Sequence, residues 1–224
     1  MVFCLVTLFP EAIKSYFDSS ILKRAQEKKL VKIKFYNPRD FAKDKHRKVR
    51  PTERRQSFGR VDDKPFGGGP GMVMKVDVLS RTIQKAAAPR QKIILLSPAG
   101  KQFTQDTARK WAKNYKNIIL ISGHYEGIDE RVAKIFKAEK ISIGPYVLTG
   151  GELAAGVVVD AVSRHIPGVL GKAESLEEKR GALGTPTYTR PEIFKHKGKK
   201  YRVPKVLLSG NHKKIVEWRR KNIK

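Results

Sequence analysis

The sequence predicts an α/β domain on a largely parallel sheet, followed by a small, strongly basic helical module. Two observations carry this. Short, continuous apolar runs alternate with helical patterns from residue 1 to about 165, as expected where crossover helices cover both faces of a parallel sheet. The composition then changes at residues 166–188, and again at residue 189.

VFCLVTLF (2–9) reads as the first strand. Pro10 opens a helical stretch with apolar positions at Ile13, Phe17, Ile21 and Leu22. KIILLSP (92–98) and NIILISG (117–123) are unbroken apolar runs, which suit strands buried on both faces. Residues 104–115 and 127–137 read as helices, the first with Trp111 on its apolar face. KISIG and PYVLTGG are short extended pieces, and ELAAGVVVDAVSRHI (152–166) is a helix buried on most sides. Residues 166–188 are rich in Gly and Pro and their charges cancel, so they read as a linker. From Thr189 to Lys224 there are 13 Lys and Arg against two acids, Glu192 and Glu217. Asn211 is placed to cap a final helix, HKKIVEWRRKN. The expected organisation is thus a domain at 1–165, a linker at 166–188 and a basic module at 189–224.

The 224 residues are 40% hydrophobic and 31% charged, enough apolar content for a real core. Lys and Arg number 48 against 21 Asp and Glu, a net charge of +27. Charge of this size repels itself unless a polyanion absorbs it, and nucleic acid is the leading candidate. The single cysteine, Cys4, sits in an apolar run and reads as a small buried hydrophobe, and one cysteine builds neither a disulfide framework nor a cysteine zinc site. No stretch approaches the roughly 18 apolar residues of a membrane helix, and the first apolar run has no basic segment before it. No membrane role and a reducing, cytoplasmic setting are expected.

GGGPGM (67–72) lacks the spacing of a dinucleotide or P-loop phosphate cradle. It reads as a tight turn at positive φ, or as a backbone platform for a close-lying ligand. GHYEGIDERV (123–132) places Tyr125 and Glu126 between two glycines where a strand gives way to a helix, the position at which open α/β sheets bind ligands. It could equally be a plain helix start with favourable acids. IGPYVLTGGE (143–152) and SPAG (97–100) are further Gly-rich turns after apolar runs. Together these strand ends could line one pocket with backbone groups, better suited to adenine and ribose than to phosphate. Arg164 and His165 end a buried helix, where cations also simply complement the dipole. Residues 46–64 read as an exposed basic loop, mobile unless RNA or a partner orders it.

The segments VTLFPE (6–11), NPRDF (37–41), HRKV (46–49), DDKPFGGGPGM (62–72), LLSPAG (95–100), GHYEGIDERV, SIGPYVLTGGEL (142–153), DAVSRHIPGVLG (160–171), YTRPE (188–192) and LLSGNH (207–212) occur in this order. In sequence and order they resemble the bacterial tRNA (guanine-N1)-methyltransferase family, TrmD, from near the N-terminus to Trp218. The resemblance implies a SPOUT-class homodimer whose parallel sheet holds a deep trefoil knot, an exception to the unknotted rule. It implies that the knot turns bind S-adenosylmethionine in a bent form, that both subunits build each active site, and that the methyl goes to N1 of guanine 37 of tRNA, just 3′ of the anticodon. By motif match the cofactor residues are Leu95, Leu96, Ser97 and Pro98 in the first turn and Gly123, Tyr125, Glu126 and Gly127 in the second. The third has Ile143, Gly144, Pro145, Tyr146, Val147, Leu148, Gly150 and Gly151. Asp62 corresponds to a residue implicated in guanine recognition, Arg164 to the catalytic arginine, and Arg190 of YTRPE falls on the tRNA-binding module. Magnesium dependence also goes with the family, with no ligands assigned here.

Guanine N1 carries a proton and is a poor nucleophile, so transfer needs a base on N1–H and a cation or donor on O6. The family's base is an Asp in the interdomain linker. Ungapped alignment puts Lys179 there, and the only linker acids are Glu174, Glu177 and Glu178. Glu178 needs a slip of one position and is the chosen base. His124, Pro145, Ala154 and Gly184 also depart from the family's residues, the loop at 46–64 is longer, and the tail ends soon after Trp218. The alternatives are a non-catalytic RNA-binding homologue that lost its base, and a basic scaffold that binds nucleic acid by charge alone.

Overall fold

The computed structural model describes residues 1–42, 60–170 and 185–222. The chain forms two compact units, Met1–Val169 and Leu170–Lys224. Residues 46–59 of the loop expected at 46–64 and the linker acids Glu174, Glu177 and Glu178 lie outside the described residues, while Asp62–Asp63 at the loop's end form a short strand.

In chain order the first unit runs β1 (Val2–Val6), α1 (Glu11–Phe17), α2 (Ser20–Glu27), β2 (Lys32–Tyr36), β3 (Asp62–Asp63), β4 (Val73–Met74) and α3 (Val76–Ala86). It continues with β5 (Gln91–Gln102), α4 (Gln105–Asn114), β6 (Asn117–Ile121), α5 (Arg131–Phe136), β7 (Glu139–Ser142) and α6 (Glu152–Ser163). Five strands form one sheet in the order β2-β1-β6-β5-β7, every neighbouring pair parallel. This is the α/β architecture the apolar runs predict.

Strand alternation builds two cores. Phe3, Leu5, Ile94, Ile118 and Leu120 pack against α1, α2, α4 and α6. Cys4, Val6, Ile93, Ile119 and Ile121 face the other way, onto α3 and α5. Both faces being covered, the strands need apolar residues at every position, hence their unbroken runs. Cys4 is buried, and that burial pushes its thiol pKa up.

Two elements depart from the pattern. The edge strand β2, KIKFY, alternates lysines with apolar residues, since its outer rim meets water. β5 runs past Pro98 to Gln102 although proline cannot donate to a ladder. The register against β7 explains this: Leu96 and Lys101 both pair with Ile141, so residues 97–100 arch out of the ladder. Gly100 closes the arch, where a Cβ would sit 2.4 Å from the Ile141 nitrogen.

The second unit contains a hairpin, β8 (Ile193–His196) and β9 (Lys199–Arg202), then α7 (Lys205–Leu208) and α8 (His212–Lys221). The Asn211 side chain accepts from the Lys214 nitrogen at 3.1 Å, the cap expected for the last helix. The hairpin is an addition to the helical module the sequence predicts.

Candidate cofactor site

The neighbours β6, β5 and β7 send their carboxyl ends to the same side of the sheet, and a cavity of about 350 Å³ opens there. This is the position at which open α/β sheets bind ligands. Its walls are the arch after β5 (Leu95, Leu96, Ser97, Pro98), the turn after β6 (Gly123, Tyr125, Glu126, Gly127) and the turn after β7 (Ile143, Gly144, Tyr146, Val147, Leu148, Gly150, Gly151). Of the residues singled out for the cofactor, Pro145 alone does not line it. His124, Ile128, Glu130, Lys140 and Ala154 line it in addition.

The turns are held from beneath. In the second, Tyr125 (φ +60°) and Gly127 (φ +130°) take left-handed backbone, which reverses the chain sharply. Glu126 N donates to Met72 O at 3.0 Å, and Met74 N donates to Gly127 O at 3.0 Å, so β4 and the glycine loop are stitched to the turn. Gly67, Gly68, Gly69 and Gly71 all have positive φ, as a tight turn requires. Gly71 lies against Glu126: a Cβ there would meet that side chain at 2.4 Å. α5 therefore starts at Arg131, later than the sequence pattern suggests. Asp129 Oδ1 accepts from the Arg131 nitrogen at 2.9 Å and ends the turn.

The third turn meets the second at Gly151, whose nitrogen donates to Gly123 O at 3.0 Å. A Cβ on Gly151 would come within 2.7 Å of the Ser122 Cα, and one on Gly150 within 2.6 Å of the Glu152 carboxylate and the His124 ring. The two glycines thus form a cradle packed on the Ser122–Gly123 backbone at Gly151 and on the Glu152 and His124 side chains at Gly150. Ser142 Oγ donates to Gly144 O at 2.9 Å and accepts from Gly144 N at 3.2 Å, closing the other end of the turn.

Sequence reasoning missed a buried polar chain below this cradle. Glu152, 6% exposed at the start of α6, accepts from Thr7 Oγ1 at 2.5 Å and pairs with His124 Nε2 at 2.9 Å. Thr7 Oγ1 in turn accepts from Phe9 N at 3.0 Å. The Phe9 ring lies 4.8 Å from the His124 ring and carries the Arg39 guanidinium at 4.9 Å. The end of β1, the second turn and the start of α6 are thereby tied together. The signal in sequence was only an acid after two glycines, which reads as a dipole complement; its partners lie 28 and 145 residues away.

Asp62 lies opposite Met74 in the β3–β4 ladder, half-buried, 3.8 Å from Arg60. Arg164 is the residue after α6, half-buried, and is not among the residues lining the cavity. His165 Nε2 meets Gln105 Nε2 at 2.9 Å. Arg190 is exposed in the second unit. Among the described residues no group of three or more His, Cys, Asp or Glu could hold a metal ion. No helix among them is long and apolar enough to cross a membrane.

The model of the family described as tRNA (Guanine-1)-methyltransferase TrmD matches residues 1–224. The chain is 49% identical over 222 residues to a tRNA (guanine-N(1)-)-methyltransferase of Dehalococcoides mccartyi, covering 96% of this chain and 83% of that one. A relative of the same name from Dictyoglomus turgidum is 50% identical over 220 residues, covering 97% and 82%. One from Clostridioides difficile is 47% identical over 227 residues, covering 98% and 91%.

Proposed function

We propose, because the chain belongs to the tRNA (guanine-1)-methyltransferase family, that it transfers a methyl group from S-adenosylmethionine to N1 of guanine 37 of tRNA. The observation that carries the cofactor assignment is the cavity where three convergent turns meet at the strands' carboxyl ends, its third turn packed so closely at Gly150 and Gly151 that a Cβ on either would collide with the second turn or with the Glu152 and His124 side chains. Backbone N–H and C=O groups there suit adenine and ribose, and the apolar Leu95, Leu96 and Leu148 suit the purine face. When bound, S-adenosylmethionine supplies the methyl and leaves as a neutral thioether.

The chain's own residues do the rest. A linker carboxylate, Glu178, takes the N1 proton as the new N–C bond forms. The Arg164 guanidinium, a fixed fork of donors, opposes the charge that develops on O6. Asp62 reads the guanine, and Arg190 with the basic module holds phosphates. The metal-type ligands among the described residues do not gather to fit magnesium, and no step is assigned to it.

The site is completed in a homodimer, with the resemblance's trefoil knot forming the cofactor turns. Leu153 and Val157, one turn apart on α6 and 58% and 47% exposed, offer an apolar face for a second copy. A tRNA substrate and a lone buried cysteine go with the cytoplasm.

The deciding experiment is methyl transfer to a tRNA transcript with G after the anticodon, beside one with A there. Transfer to the first alone is expected. Transfer to neither, with tRNA still bound, would replace the enzyme by a non-catalytic RNA-binding homologue. Glu178→Gln should lower the rate at saturating cofactor roughly 10²–10⁴-fold, the size usual for one general base. Full activity in Glu178→Gln, with Glu177→Gln or Glu174→Gln inactive, would move the base within the linker.

A further inference from the structure

The basic module as a whole is assigned to phosphates above, but its β8–β9 hairpin has a shape that charge alone does not require. Lys197 (φ +47°) and Gly198 (φ +75°) make a two-residue left-handed turn that matches the strands' twist. Phe194 then pairs with Tyr201 and Lys195 with Lys200, while Ile193 and His196 face Arg202 and Lys199. Every residue of both strands is exposed. A two-stranded ribbon in water is marginal by itself, and among the described residues this one covers no core.

Its two faces differ. Directly opposed residues share a face, and residues two apart along a strand share it too. One face therefore carries Phe194, His196, Tyr201 and Lys199. The Phe194 and His196 rings lie nearly parallel, 12° apart with centroids at 6.2 Å, so they form one flat surface. Phe194 and Tyr201 are 56% and 55% exposed. The other face carries Ile193, Lys195, Lys200 and Arg202. There Lys195 and Lys200 are opposed like charges, which destabilises the pair unless an anion lies across it. Residues 193–202 hold five cations and no acid.

We infer that this hairpin is a platform for unpaired RNA nucleotides. Phe194, His196 and Tyr201 stack on bases, and Lys195, Lys200 and Arg202 hold the phosphates that flank them. Flat aromatic surface beside cations is the arrangement that binds single strands, because every base has a π-face. Duplex RNA keeps its base faces stacked within the helix, so it gives the aromatic face nothing to take. A protein partner would leave five like charges to be neutralised by acids alone and would not need a flat ring surface. The inference rests on tRNA being the substrate and names which part of it this unit grips: an unpaired loop.

The test uses the full chain, with two probes: an RNA stem-loop with an unpaired loop and a blunt RNA duplex of the same length. Affinity is measured across a salt series without cofactor. The double variant Phe194→Leu/Tyr201→Leu keeps apolar bulk but removes the rings. It should weaken stem-loop binding ~10-fold or more at every salt, leave the salt slope unchanged, and leave duplex binding unchanged. Phe194→Trp/Tyr201→Trp should bind the stem-loop at least as well as the parent chain. Lys195→Ala/Lys200→Ala should lower the salt slope by up to about 2. Parent-like stem-loop binding by the leucine variant would overturn the inference, and so would equal losses on both probes. Methyl transfer by the same samples separates this from the reaction itself. A false platform leaves transfer with its parent tRNA dependence, whereas a false reaction gives no transfer while the stacking signature remains.

Discussion

The two units of this chain are stabilised in opposite ways. In Met1–Val169 each of the three inner strands, β1, β6 and β5, buries alternate side chains in two cores, and the turns lining the candidate cofactor cavity sit on that base. Among the described residues of Leu170–Lys224, the two helices bury no residue and every residue of both hairpin strands is exposed. The difference matches the tasks proposed for the two units. A small neutral-to-cationic cofactor needs backbone groups fixed to fractions of an ångström, which only a packed sheet supplies. A long polyanion needs charge and flat surface spread over many residues, and each contact tolerates some looseness.

The sharpest way to break the first half of that contrast is at Gly151. Gly151→Arg should abolish cofactor binding in calorimetry, and even Gly151→Ala should weaken it severely, because the atoms a Cβ would meet are the Ser122 and Gly123 backbone. A parent-like isotherm for Gly151→Arg would mean that the cradle is not the cofactor site. The core gives the next largest effect. Leu120 is fully buried, so Leu120→Ala should cost about 2–5 kcal/mol in denaturant unfolding. Leu208 is 48% exposed in the second unit, and Leu208→Ala should change stability by less than about 0.5 kcal/mol. Comparable losses at the two positions would erase the contrast.

Removing residues 189–224 takes away 13 Lys and Arg. It should weaken tRNA binding at least ~10-fold at low salt and flatten its salt dependence. Cofactor binding should be unchanged. A loss of cofactor affinity would show that the second unit supports the cradle. Glu152→Gln keeps the shape of the buried carboxylate but removes its charge from the Thr7–His124 chain. Charged hydrogen bonds of this kind justify an expected fall of about 10-fold in cofactor affinity.

The same contrast explains what could be read from the sequence. Strands buried on two faces announce themselves as apolar runs, and β1, β5 and β6 were legible for that reason. The cavity's turns were legible because backbone ligation needs glycine and small residues at strand ends. The edge strand β2 was hidden because half of it faces water and its lysines interrupt the run. The β8–β9 hairpin was hidden by its charge: IFKHKGKKYR reads as a basic tail unless the Lys-Gly pair is taken as a turn between alternating aromatics. The extension of β5 past Pro98 depends on an arch that only the pairing with β7 reveals. The Thr7–Glu152–His124 chain joins residues far apart in sequence, so no local pattern records it.

The smallest expected effect lies at Asp129, where the turn after β6 hands over to α5. Its carboxylate accepts from Arg131 Nε at 2.9 Å and from Arg131 Nη2 at 2.7 Å, as well as from the Arg131 backbone. The Arg131 side-chain hydrogen bonds hold the Asp129 pKa below its ordinary value of 3.8, against the opposing effect of burial. Because the folded value is the lower one, the stabilisation is fully present above 3.8 and fades as pH falls through the folded value. Arg131 is well exposed, so water and salt screen the pair and the effect is small. Asp129→Asn should therefore lower Tm slightly at neutral pH, and the gap between variant and parent should close on acidification below 3.8. A gap that persists unchanged in acid would mean that the side chain acts by shape at the helix start, with its charge irrelevant.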